Sequence, residues 1–430
     1  MKTIRLHEAT PPLGPPPESR WQLGRLLTAP HRLGFAAGAA LLATSALWWA
    51  AVLVAREIGV ELPWAVAPPL AHGLLMALGF MPLFMVGFLF TAGPRWLDVP
   101  PVSATALRNP VLLMLAGWAL ALPGFHLAAG LAAAGIAALA LGWCWLVLRF
   151  VGLLRASRAP DKLHARLVAS AAAIGALAML WAAVALGAGH AGALRAATQC
   201  ALWGFLAPVF ASVSHRMLPF FTASTLPTLD AWRPNALLWA MLAAIATELA
   251  FAVAELGWWP PPAAARWLQA AIELPAALLL LWLALRWGLV QSLKIRLLAM
   301  LHIGFLWLGI AFALGAVSHA LMAASGGERS LGLAPLHALT MGYLGSTLVA
   351  MATRVAAGHS GRPLAADNIA WALFWLLQSA VLLRLGHALW PAAGAWLLLA
   401  AVGAWAAAML GWALRYGNWL GRPRSDGRPG

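Results

Sequence analysis

The chain has 430 residues, of which 63% are hydrophobic and only 10% charged, with a formal net charge of +15. Apolar runs recur along nearly the whole length, which excludes a sizeable soluble domain, and their continuity excludes the alternating strands of a β-barrel. The two cysteines, Cys144 and Cys200, both lie inside apolar runs, so a disulfide framework is excluded, and with no Cys-x-x-Cys-His so is covalently attached haem.

Residues 1–32 are polar and rich in proline (Pro11, Pro12, Pro15, Pro16, Pro17) and lack the pattern of a cleavable signal peptide, so they read as a surface-lying or disordered arm. The domain that follows, 33–416, is expected to be an all-α bundle of about twelve transmembrane helices. The spans fall at about 33–55, 67–92, 109–122, 126–149, 167–188, 195–214, 235–256, 265–287, 297–323, 337–357, 368–388 and 391–414. A basic tail, 417–430, closes the chain.

Twelve spans place both termini on one face, and charge assigns that face to the cytoplasm. Of the 28 lysines and arginines, only Arg56, Arg195, Arg266, Arg329 and Arg384 lie toward the other face. The loop after the fourth span carries Arg149, Arg155, Arg158, Lys162 and Arg166, whereas the preceding turn at Pro123–Gly124 carries none. The net charge therefore follows membrane orientation and does not call for nucleic acid. Trp48, Trp49, Trp64, Trp96, Trp258, Trp259, Trp390 and Trp419 fall near predicted interfaces, as an aromatic belt would. Gly130 with Gly135 and Gly342 with Gly345 have the spacing of close helix packing.

Twelve histidines carry most of the chemistry available to such a chain. His72, His126, His190, His319, His337 and His387 map toward the non-cytoplasmic face; His7, His31, His164, His215, His302 and His359 map toward the cytoplasmic one. His302 and His319 share a span but are separated by roughly 25 Å of helix rise, too far to bind one ion. His72, His319, His337 and His387 sit on four different spans near one surface and form the candidate metal site. Imidazole suits iron, copper and zinc, and apolar walls suit a flat cofactor such as haem. Met76 follows His72 by four and Met341 follows His337 by four, adding a soft thioether to each helix face. Each histidine alone is equally explained by a hydrogen bond to headgroup, water or carbonyl, and each methionine by core packing.

Carboxylates are scarcer. Glu248 and Glu273 lie within neighbouring antiparallel spans at similar depth and read as a proton-handling pair, or as protonated and hydrogen-bonded residues. Arg354 and Arg384 lie close enough to span ends to snorkel. No phosphate-binding loop, Gly-x-Ser-x-Gly or His-Glu-x-x-His occurs.

The stretch HALTMGYLGSTLVAMATRVAAGHSGRPL, from His337 to Leu364, resembles the signature of the NnrS family of haem- and copper-containing membrane proteins linked to the nitric oxide response. Three further stretches match in order: HGLLMALGFMPLFMVGFLFTAGPRW from His72, HRMLPFFTAS from His215, and LHIGFLWLGIAFAL from Leu301. The resemblance implies a multi-pass protein of the bacterial inner membrane that binds non-covalent haem, of b type, and in some members copper, with nitric oxide or a related small molecule as partner. It carries His337, His359, His302 and His72 over as family histidines, with Arg354 and Arg362 as companions. If the chain does chemistry, His337 is the expected haem-iron ligand and His72 or His302 the second metal ligand. Leu74 and Leu75 stand where the family's second span has a histidine and a glutamate, which puts copper in question.

Two other functions fit parts of the sequence. A haem–copper oxidase or nitric oxide reductase core has a similar number of spans, but its adjacent His-His pair is absent here. A proton-coupled secondary transporter would use the histidines and carboxylates to move protons, and Pro82 and Pro275 are expected to interrupt the corresponding spans two and eight of its two halves.

Overall fold

A computed structural model describes residues 20–255, 257 and 260–427; the proline-rich segment 1–19 with His7, and Trp258 and Trp259, lie outside the described residues. The described chain is helical and carries no strand. In order the helices are α1 (Pro30–Glu57), α2 (Pro68–Leu78), α3 (Phe80–Leu97), α4 (Ala104–Leu127), α5 (Ala129–Ala156), α6 (Leu163–Gly187), α7 (Ala191–Cys200), α8 (Ala207–Thr225), α9 (Asn235–Ala254), α10 (Ala263–Arg286), α11 (Leu289–Ser292), α12 (Arg296–Ala324), α13 (Ala334–His337), α14 (Ser346–His359), α15 (Asn368–Leu389) and α16 (Ala395–Leu420). Eleven segments are long and apolar enough to cross a membrane, α2–α3 and α7–α8 each counting as one. The predicted tenth span, α13–α14, runs unbroken from Ala334 to His359 through a π-helical stretch at Ala338–Gly345 but is not among these eleven.

Local chemistry explains the irregular spans. Pro82 cannot donate to the carbonyl of Leu78, and the chain breaks beside it, at Gly79, separating α2 from α3. The π stretch Ala201–Leu206 stands just before Pro208, where a wider turn relieves the clash of the proline ring with the preceding turn. Ala338–Gly345 is wound more widely around Trp307, whose ring fills the space a side chain on Gly342 would need, 2.7 Å from its Cβ position. Trp307 Nε1 is held in turn by Gln378 Oε1 at 2.8 Å, and Gln378 donates to Ser346 Oγ at 2.8 Å. Pro275 behaves differently from expectation. It lies inside an uninterrupted α10, so spans two and eight are not a matched pair of broken helices.

Burial ranks the spans. The apolar windows of α2–α3 and α12 are 83% and 72% buried, against 28% for α9, which puts the former at the centre and the latter at the rim. α1 packs on α3 and α16, α4 on α5, α10 on α12 and α15 on α16. The two ends of the chain are fastened together: Gln22 N donates to Gly421 O at 2.9 Å, Trp21 Nε1 to Gly417 O at 3.2 Å, and Arg32 Nη1 to the Leu420 and Arg422 carbonyls at 2.7 Å each. Both ends of the described chain therefore lie at one face. The last helix runs to Leu420, into the segment read as tail.

Candidate functional site

Apolar helices supply no polar partners except their own backbone, so each histidine inside the bundle must find a specific one. The structure sorts them mostly into pairs, within the two faces assigned by depth. On the face opposite the termini, His72 of α2 and His337 at the end of α13 are electrostatic neighbours of each other and of Arg384 on α15. The His72 ring stacks on Trp49 of α1, centroids 4.0 Å apart and planes 18° apart, and its Nδ1 is buried without a partner. His337 Nδ1 donates to the Leu333 carbonyl at 2.9 Å, which leaves the lone pair on Nε2 free. Buried nitrogens without partners recur on α15, at Arg384 Nη1 and, one turn on, at His387 Nδ1. By contrast His126, on the same face, is satisfied on both sides, by Trp48 Nε1 at 3.0 Å and the Pro63 carbonyl at 2.9 Å.

The expected four-imidazole site does not assemble. Among the described residues, no three of His, Cys, Asp and Glu come together as a metal-binding group. His319 is turned toward α10, where Glu273 Oε2 takes its Nδ1 at 2.7 Å, and so leaves the ligand set. His302 is likewise removed from His337. It lies near the start of α12, fully buried, with Nε2 on Thr222 Oγ1 at 2.9 Å. Because the Thr222 hydroxyl donates to Leu218 O, His302 Nε2 is the donor, and its Nδ1 has no partner. Met76 and Met341 are half-buried and pack against the core. Leu74 and Leu75 are fully buried in that core, so α2 contributes His72 alone.

At the face of the termini, His359 stacks at a tilt on His31, centroids 4.3 Å apart, and its carbonyl accepts from Arg424 Nη1 at 3.3 Å. Arg354 lies over the Phe221 ring at 3.9 Å and Arg362 over Trp419 at 4.3 Å, so both companions of the signature rest on aromatic faces. His31 edges onto Phe35, which helps line a small open-sided apolar cleft with Phe84, Phe88, Phe210 and Met351. A third pair, His164 Nε2 and His215 Nδ1 at 3.0 Å, is oriented by the Pro234 carbonyl 3.2 Å from His215 Nε2. Sequence reasoning missed His31 and His164 as partners, and missed Arg384 at the His72–His337 cluster. Depth along the helices was their only signal.

The donors at His72 and His337 fit a metal-bearing cofactor. Two imidazole nitrogens are free of protein partners, the stacked Trp49 gives an apolar wall, and the open Arg384 Nη1 suits a carboxylate. Among the described residues there, α2 offers His72 alone and α13 offers His337, with no carboxylate or third histidine beside them.

The NnrS protein family model matches residues 25–424, nearly the whole chain. No curated protein matches it. A polytopic helical bundle with this match belongs to the NnrS family.

Proposed function

We propose that this multi-pass membrane protein binds haem and serves in the response to nitric oxide and nitrosative stress in the bacterial inner membrane, with copper left in question by Leu74 and Leu75. The observation that carries the reading is the His72–His337–Arg384 cluster, where His72 on α2 and Arg384 on α15 each bury a nitrogen without a protein partner. Haem iron, when bound, would supply affinity for a diatomic ligand such as nitric oxide. His337 would hold the metal through Nε2, because Leu333 fixes the other ring nitrogen as a donor. His72, clamped flat against Trp49, would present the second imidazole, and Arg384 would anchor an acidic substituent.

The test is the absorption spectrum of the detergent-purified protein, oxidised and reduced, with iron and copper analysis on the same sample and haem supplied during expression. A Soret band with stoichiometric iron that shifts on nitric oxide addition is expected. A colourless, metal-free protein would overturn the reading. A proton-coupled transporter is then the second reading, favoured by the buried acidic residues between α9, α10 and α12 though no longer by paired helix breaks.

A further inference from the structure

A polar ladder crosses the facing sides of α9, α10 and α12, away from the histidine cluster. Arg266, Gln269 and Glu273 follow helical spacing on one face of α10, and Glu248 and Glu255 are one heptad apart on α9 and just past its end. Arg266 Nη2 pairs with Glu255 Oε1 at 2.7 Å, and its Nη1 donates to Gln269 Oε1 at 3.0 Å. That bond fixes the amide, so Gln269 Nε2 donates to Glu248 Oε2 at 2.9 Å. Glu248 neighbours Glu273 electrostatically, and Glu273 Oε2 meets His319 Nδ1 at 2.7 Å. Gly315, one turn before His319, leaves the space that the Glu273 carboxyl occupies, since a Cβ there would collide with Oε1. Every member from Arg266 to Glu273 is at least nine-tenths buried.

Charge counting gives the ladder its chemistry. Glu255 neutralises Arg266, leaving Glu248, Glu273 and His319 to balance among themselves; the charged groups facing these three are Arg266 and Glu255. In a low-dielectric interior the neutral arrangements dominate. Neutrality requires two protons over the three groups, and three distributions satisfy it, of which two keep Glu248 protonated. In one of those two Glu273 is protonated and His319 neutral, and in the other His319 is protonated and Glu273 ionised. The two differ by passage of a single proton between His319 Nδ1 and Glu273 Oε2, with nothing oxidised or reduced. His319 is the outward member: its side chain is 18% exposed against 4% for Glu273, and it lies near the α12 end opposite the termini.

We propose that Glu248, Glu273 and His319 form a proton-loading site in the membrane interior, with His319 as its gate toward the face opposite the termini. Gln269, Arg266 and Gly315 are positioning residues. This site does not depend on the haem reading, and its test needs no cofactor.

Infrared spectroscopy of the full-length protein in lipid tests it. A protonated-carboxyl carbonyl band at neutral pH is expected, shifting on deuteration, and Glu248→Gln and Glu273→Gln should each remove one carboxyl contribution. Gln269→Leu should move the pH midpoint of the band while leaving it present. His319→Gln should slow deuterium exchange of the carboxyls on the order of 100-fold, as loss of a positioned proton carrier does. Only ionised carboxylates in the wild type, or a band indifferent to both glutamate variants, would overturn the site. Exchange as fast in His319→Gln as in the wild type would overturn the gate. Should Glu273→Gln fail to fold, the wild-type titration and Glu248→Gln decide the matter.

Discussion

Two polar regions lie toward the same face of this bundle and are built on opposite plans. The ladder of α9, α10 and α12 is mostly paired within itself: bonds of 2.7 to 3.0 Å join Glu255, Arg266, Gln269 and Glu248, and another joins Glu273 to His319, while Glu248 Oε1 and Arg266 Nε keep no partner. The His72–His337–Arg384 cluster is held by stacking and by a backbone carbonyl, and its remaining nitrogens point at no protein partner. A closed network of ionisable groups in an apolar interior can hold protons without outside help. An open one carries unmet desolvation cost that a ligand relieves. The same residue type, histidine, serves both plans, and its partners decide which.

Substitutions break or sharpen this contrast. The largest effect is expected at His337→Ala, which should weaken cofactor retention by about 10–100-fold, read from iron content and the absorption spectrum. His302→Ala should leave both unchanged, because His302 lies with Thr222 near the other face. Next come the two arginines, compared by thermal unfolding. Arg266→Met strands Glu255 and Gln269 and should cost about 3 kcal/mol, whereas Arg384→Met breaks no recorded hydrogen bond and should cost less than about 1 kcal/mol while loosening the cofactor. Equal losses would erase the distinction between closed and open regions. Gly315→Ala should destabilise by roughly 1–3 kcal/mol despite the better helix propensity of alanine, since Glu273 has nowhere to go.

The smallest effect is expected at a control outside both regions, the loop before α15. Asp367 caps α15 by accepting from Ala370 N at 3.0 Å and pairs with Arg415 of α16. Burial pushes its carboxyl up, but the Ala370 N–H and the Arg415 guanidinium outweigh it and hold it below the ordinary carboxylate value. A depressed carboxyl stabilises the fold above its unfolded pKa, and that contribution is lost as pH falls through the folded value. Asp367→Ala should therefore cost about 1 kcal/mol at neutral pH, and the gap to wild type should close in acid below about pH 4. A gap unchanged by pH would show that packing, and not the charged cap, is what the substitution removes.

Much of the architecture was legible because hydrophobic length is read one residue at a time. Most of the spans and the depth of each histidine follow from helix rise and apolar runs, and the pairs His72–His337, His31–His359 and His164–His215 each join residues expected at the same face. Which helix neighbours which was not legible. Four histidines at one depth looked like one site, but α12 turns His319 to Glu273 because α10, which packs against it, supplies a carboxyl at that depth. Pro275 illustrates the converse limit: a proline in an apolar run marks a missing donor, and whether the helix breaks depends on packing that a single span does not encode. The π turn after His337 depends in the same way on Trp307 meeting Gly342 from another helix.

The clasp between the two ends of the chain sets an order of events during synthesis. Arg32 is buried at 3% exposure near the start of α1, and both its recorded hydrogen bonds go to carbonyls at the end of α16 and just beyond. α1 thus carries a cation whose carbonyl partners are made 388 and 390 residues later. Until they arrive that charge must stay with water or headgroups, so α1 cannot settle in its final place before α16 has been made.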